Sequence, residues 1–294
     1  MTLIQRLRPD PIPTIHPLPE YLAVGQLAER YAEMKRVLQV PWMGVVTMAY
    51  AHYPTFFGEL WRGLKPLCQS GAFVEACQEM RDYVEARAAE LAPKSLLREL
   101  AELGYAPREI EGIGAMNAVF SHGNQPYLLI AAITRHLLEL GDMGGNGSSQ
   151  AYAGKHAPEQ TAPLVLMEAH HADQPTQAVY QDIRTRLQLP FVNTDYRAFA
   201  RWPSYFALAW NGLREVVGTP AHEAICQDCH DRAARLAAEL LPNPGGLSSA
   251  ALRRAALADA PQDEIIQMCR LFQWLLPGLI TNVAFFRQQL EAVR

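Results

Sequence analysis

The stretch YAEMKRVLQVPWMGVVTMAYAHYPTFFGELWRGLKPLCQSGAFVEACQEMRDYVEARAAEL, residues 31–91, lies without a gap over YQDIRTRLQLPFVNTDYRAFARWPSYFALAWNGLREVVGTPAHEAICQDCHDRAARLAAEL, residues 180–240, every position displaced by 149. Of the 61 paired positions 19 are identical, and they include Pro41/Pro190, Pro54/Pro203, Trp61/Trp210 and Cys77/Cys226. Most other pairs exchange like for like, as Lys35/Arg184 and Trp42/Phe191 do. A period this long is not that of a solenoid, whose repeats run to about 20–50 residues. The chain reads as two copies of one unit, packed on itself as a homodimer would be, about a pseudo-two-fold axis. Such an axis creates a cleft, and a polar group present in only one copy becomes a candidate for chemistry.

The local pattern is helical throughout. Leu22, Val24, Leu27, Tyr31, Met34 and Leu38 follow helical spacing after Pro19. Pro41 and Pro54 are expected to open helices over 41–51 and 54–67, and a run rich in Ala, Glu, Arg and Met predicts another over 72–91. Ser95 is expected to cap a short helix ending at Gly104. Ala106-Pro107 opens one to about Ser121, and Pro126 opens a very apolar one. No stretch alternates as a strand does. The expected fold is all-α. It comprises an extended arm at 1–18, a first repeat at 19–140, a Gly-rich linker at 141–163 and a second repeat at 164–294.

Composition excludes several classes. The formal net charge of −4 leaves no basic footprint for nucleic acid. No apolar run is long enough to span a membrane, and the N-terminus lacks the apolar region of a signal peptide. Five cysteines, an odd number, fit reduced thiols in the cytosol better than a disulfide frame.

The informative positions match in place and differ in chemistry. Val46 becomes Asp195, Glu59 becomes Leu208, and Thr55 stays a hydroxyl as Ser204. Asp195 stands out, because on a helix Phe191 and Phe199 flank it one turn away on either side. A carboxylate on an aromatic face is costly to bury unless paired or used, and burial makes it a stronger base. An ordinary ion pair to Arg197 or Arg201 is the plainer explanation. For Thr55 and Glu59, one turn apart, the plainer explanation is a solvated helix face. Asn124, in SHGNQPYLL, is expected in a turn between two helices. Trp42, Trp61, Trp210 and Trp274 are core by default. Cys226-Gln-Asp-Cys229-His230 spells the c-type haem motif, but it lies inside a long helix with no export signal. His170-His171 has no partner at ligand spacing, and GDMGGNGSS is no phosphate loop. No metal site is expected.

VPWMGVV (40–46), YPTFFGELW (53–61), FSHGNQPYLLI (120–130) and TDYRAFARWP (194–203) together resemble the group I 2-haloacid dehalogenases. The likeness runs over nearly the whole chain, in the order and spacing of these stretches. It implies an all-α duplicated unit with the active site between its halves, and no metal or cofactor. By position Asp195 matches the family's catalytic aspartate and Asn124 the asparagine that helps it hold water. Trp42 matches a pocket-wall tryptophan, and Thr55 and Glu59 match a pair important in some members. Trp274 stands where some members have tyrosine. Val45 replaces a phenylalanine of some members, which changes the pocket's shape. Asn193 stands where members accepting both enantiomers are expected to have a small residue, which implies D-selectivity.

The implied reaction is hydrolysis of short 2-haloalkanoic acids with inversion and no enzyme ester. Asp195 would activate a water within about 2.6–3.2 Å, and alignment would supply most of the rate. Amides at a helix start, near Pro41–Trp42 or Asn193–Thr194, suit the substrate carboxylate. A homodimer is one assembly the sequence allows, and the expected location is cytoplasmic. Two rivals stand beside this reading. One is a helical thiol peroxidase using Cys226 and Cys229, and the other a non-catalytic helical scaffold.

Overall fold

Helices α1 (Gly25–Leu38), α2 (Val45–Tyr50), α3 (Pro54–Cys68) and α4 (Gly71–Ala88) recur, start for start, as α7 (Gln174–Leu187), α8 (Thr194–Phe199), α9 (Pro203–Leu213) and α10 (Pro220–Arg235), each start 149 residues later. Between and after them lie α5 (Leu97–Glu102), α6 (Pro107–Glu139), α11 (Ser249–Asp259) and α12 (Gln262–Gln288). These elements come from a computed structural model that describes residues 2–146, 150–159 and 163–291. No strand occurs among the described residues, so the fold is all-α. Positions 147–149 and 160–162 of the expected linker, the first residue of the arm and the last three of the second repeat lie outside them.

The two series share details as well as bounds. α1 and α7 end in left-handed glutamines, Gln39 at φ 51° and Gln188 at φ 54°. The Tyr31 hydroxyl donates to Leu18 O at 2.8 Å, and that of Tyr180 to Met167 O at 2.7 Å. Trp61 Nε1 donates to Glu33, and Trp210 Nε1 to Asp182, both at 2.7 Å. Each of these pairs keeps the 149-residue displacement.

Several boundaries differ from the sequence reading. Pro41 opens no helix, and α2 starts at Val45. The Met43 N–H instead donates to Glu20 Oε1 at 2.7 Å, which holds 41–44 as a link. Glu20–Leu22 makes a 3-10 turn, and α1 begins only at Gly25, whose φ of +53° suits glycine. Ser95 caps nothing: Leu96 is the N-cap of α5, and Ser95 Oγ donates to Glu291 O. The largest difference is α6, one helix of 33 residues running straight through Pro126. A proline inside a helix costs about 3 kcal/mol. Every residue from 119 to 138 is buried, and packing on that scale outweighs the lost hydrogen bond. Pro277 sits inside α12 in the same way.

Packing divides the chain into two compact units. The first holds Met1–Arg81, His122–Ala157 and Gln227–Gly278; the second holds Asp82–Ser121, Pro158–Cys226 and Leu279–Arg294. Each takes segments from both sides of the Gly-rich stretch, because α4, α6, α10 and α12 contribute residues to both. In the first unit α11 packs along α3, where Asp259 Oδ2 accepts from the Phe56 N–H at 2.7 Å. The described part of 141–157 is tied down there: Gly144 N donates to Ala238 O, and Tyr152 N to Gln69 O, both at 2.8 Å. Only glycine fits at 145, where a Cβ would lie 2.2 Å from the Leu241 carbonyl oxygen.

Candidate active site

In the second unit α7 ends at Leu187 with Gln188 as a left-handed cap, the chain bends at Pro190 and Phe191, and extended Asn193 is the N-cap of α8. Asn193 is a good capping residue by type, yet its side chain makes no cap hydrogen bond here (φ −60°, ψ 156°), so the buried amide is directed elsewhere. Thr194 opens the helix and Asp195 follows, 2% exposed, in the first turn, where a helix favours negative charge. Phe191 lies before the helix rather than one turn behind Asp195, so only Phe199 flanks the carboxylate on α8. The neighbouring arginines are engaged elsewhere. Arg197 Nη1 contacts Glu168 at 2.6 Å, and Arg201 Nη1 donates to Pro163 O at 3.0 Å.

Six residues cannot hold a helix by themselves, and α8 is held by its side chains. Phe199 packs edge-on against Phe120, Tyr205 and Phe286, with ring centroids 5.5–6.1 Å apart. Tyr196 meets Trp210 and Phe286 at 6.0 and 6.2 Å. Its hydroxyl accepts from Asn282 Nδ2 at 2.9 Å. Burial pushes the phenol above its ordinary pKa, so it stays neutral.

In the first unit the other expected residues gather on α6. Asn124, 3% exposed, lies inside that helix rather than in a turn, one residue after Gly123. A Cβ on Gly123 would fall 2.3 Å from the Trp42 ring, so the glycine lets the indole lie on the α6 backbone. Tyr127, one turn on, donates its hydroxyl to Trp42 O at 2.6 Å, and its ring faces Gly44, which also leaves no room for a Cβ. Val45, half-buried, follows as the first residue of α2. Sequence reasoning passed over Gly44, Gly123 and Tyr127. The signal was there: a glycine inside a helix costs about 1 kcal/mol against alanine, and so calls for a packing reason.

The remaining expectations divide. Trp42, Trp61 and Trp210 are core, while Trp274 is half-buried, with Arg8 over its ring at 5.9 Å. Thr55 is exposed, and Glu59 takes two hydrogen bonds from Arg62 that lower its pKa, which is the behaviour of a solvated helix face. Cys226 and Cys229 are in no disulfide, and both are fully buried in α10. A peroxide-reducing thiol needs an exposed sulfur, so the peroxidase reading loses its support. His170 and His171 sit in a turn.

No protein-family model matches the chain. It is 44% identical over 248 residues to an (R)-2-haloacid dehalogenase of Rhizobium sp. (strain NHG3), an alignment covering 83% of this chain and 95% of that protein. It is 40% identical over 294 residues to an (R)-2-haloacid dehalogenase of Pseudomonas putida, covering 97% and 96%. A solved D-2-haloacid dehalogenase in complex with L-LA superposes with a TM-score of 0.87 at 36% identity, over 98% of this chain and 100% of that one. The all-α fold and this likeness agree: the chain belongs to the 2-haloacid dehalogenase family.

Proposed function

We propose how this hydrolase of carbon–halogen bonds works on short D-2-haloalkanoic acids, such as 2-chloropropionate, which it converts to 2-hydroxy acids with inversion. Asp195 takes a proton from a water. The water oxygen forms its bond to the α-carbon opposite the halogen, and the halide leaves with the electron pair of the broken bond. Asn124 hydrogen-bonds the same water and aims its lone pair. No ester forms on the protein. A positioned base contributes about 10²–10⁴-fold, and alignment the larger share. Trp42 and Val45 shape the apolar wall, and Asn193 narrows the side that the L-enantiomer would need.

The observation that carries this reading is a buried carboxylate in one copy where its counterpart, Val46, is apolar and equally buried, each 2% exposed. Duplication is part of the proposal. The shared helix starts, the paired left-handed glutamines and the matched Trp and Tyr hydrogen bonds support two copies of one unit.

A single turnover in heavy-oxygen water tests the chemistry. The label is expected in the product hydroxyl, and label in a protein carboxylate would replace direct hydrolysis with an ester mechanism. Asn193→Ala is expected to admit the L-enantiomer. An unchanged preference would remove Asn193 from the selectivity.

A further inference from the structure

Behind α8 runs a buried polar chain that the reaction as described leaves unused. Cys226 Sγ lies 3.7 Å from His222 Nδ1. His222 Nε2 is 2.8 Å from Asn282 Oδ1, and Asn282 Nδ2 donates to the Tyr196 hydroxyl at 2.9 Å. The four residues come from α10, α12 and α8, and none is more than 2% exposed. At its outer end the chain reaches the surface, where His222 Nδ1 is 3.5 Å from Glu223 Oε1. Apart from Cys226, matched by Cys77, its members are not repeated at the matching positions of the first copy. At the 149-residue displacement His222 faces Phe73, and Tyr196 faces Thr47, whose hydroxyl turns back onto Gly44 O at 2.8 Å. Asn282 faces Ala131 when Pro126 and Pro277 are matched. These four residue types stand together beside Asp195, and the chain ends on the residue next to it.

We infer that Asn282 and His222 are positioning residues, which hold the Tyr196 hydroxyl and so set the tilt of α8 and the aim of the Asp195 carboxylate. The inference rests on Asp195 being the base. Buried hydrogen bonds are directional, whereas the aromatic contacts of Tyr196 and Phe199 tolerate small rotations. A six-residue helix has little stiffness of its own to resist such a rotation. His222 and Asn282 are each bonded on both sides, so neither can turn without stranding a neighbour. Misplacing a reacting group by about 1 Å can cost about 100-fold in rate.

Tyr196→Phe is the decisive variant, because the ring and its packing remain and only the hydroxyl is lost. Its kcat is expected to fall about 10- to 100-fold with KM near normal. Asn282→Ala and His222→Phe, the latter copying the first copy, should lower kcat in the same way. The Tyr196→Phe/Asn282→Ala double variant should lose little more than either single one, as members of one network do. Unchanged kcat in Tyr196→Phe, or losses that multiply in the double variant, would overturn the inference. So would a fall in melting temperature with kcat retained, even if Asn282→Ala alone failed to fold. Asp195→Asn assayed in parallel keeps the two readings apart. If it turns over normally, the base assignment is wrong. If it is dead while Tyr196→Phe is fully active, only the positioning chain is wrong.

Discussion

Val45–Tyr50 and Thr194–Phe199 are two six-residue helices whose starts lie 149 residues apart. Both follow an extended N-cap, Gly44 at φ −61° and ψ 142°, and Asn193 at φ −60° and ψ 156°. Both bury their second residue to 2% exposure. In one that residue is Val46, the apolar content such a site favours; in the other it is Asp195. The backbone treats the two alike, so the carboxylate owes nothing to a special fold. The difference lies in the side chain alone: a carboxylate stands at a depth where the other helix keeps a valine, a placement that is costly unless the group is paired or used. On the long helices the imbalance reverses: with Pro126 matched to Pro277, the amide Asn124 lies in the first copy and Leu275 in the second. Each copy supplies one polar group where its twin is greasy.

The strongest way to break this comparison is to make the two sites alike. Asp195→Asn keeps the shape and removes the base, and kcat is expected to fall about 10²–10⁴-fold with helical content unchanged. Moving the carboxylate across, as Val46→Asp in an Asp195→Val background, should restore nothing, since α2 lacks the Tyr196 anchor of α8. Halide release that recovered in the swapped variant would mean the copies are interchangeable and the asymmetry incidental.

What could be read in advance follows the same division. The fold class and most helix starts were legible because the repeat displays each signal twice: Pro54 with Pro203, Gly71 with Pro220. The burial of Asp195 was legible because its twin Val46 is apolar, and both are 2% exposed. The path through Pro126 was not, since proline's local cost argues for a break and only the depth of burial around 119–138 overrides it. The setting of Trp42 was not legible either, because periodicity says nothing of which glycine an indole will rest on. Thr55 and Glu59 look like a functional pair on a helix face, and the surface partner Arg62 is seen only in three dimensions.

Gly123 offers a sharper test of the first-copy half. Gly123→Ala would force the Trp42 ring off α6, because a Cβ at 2.3 Å has no room and the ring's other side is core. Overpacking of this kind costs about 1–3 kcal/mol. A lower unfolding midpoint in denaturant together with a raised KM is expected, since the wall moves and the base does not. Loss of stability with KM unchanged would take Trp42 out of the pocket and leave it as core alone.

The smallest expected effect concerns acid. His122, one residue before Gly123, is buried, and Nε2 donates to Leu38 O at 3.3 Å. Burial first, and then the nearby His156, pull its pKa down from 6.5 to about 4. Its match across the copies, Gln273, does not titrate and instead accepts from Arg135. The unfolded chain takes up a proton near 6.5 that the folded chain refuses until about 4. Stability from this group is therefore complete above pH 6.5, declines on acidification through that window, and is flat below it. The total is at most about 3 kcal/mol. Denaturant midpoints between pH 7 and 4.5 should fall in the natural chain, and fall less in His122→Gln, which brings the first copy's position to the second copy's residue. Equal slopes in the two proteins would place the acid sensitivity on other groups and remove this contrast between the copies.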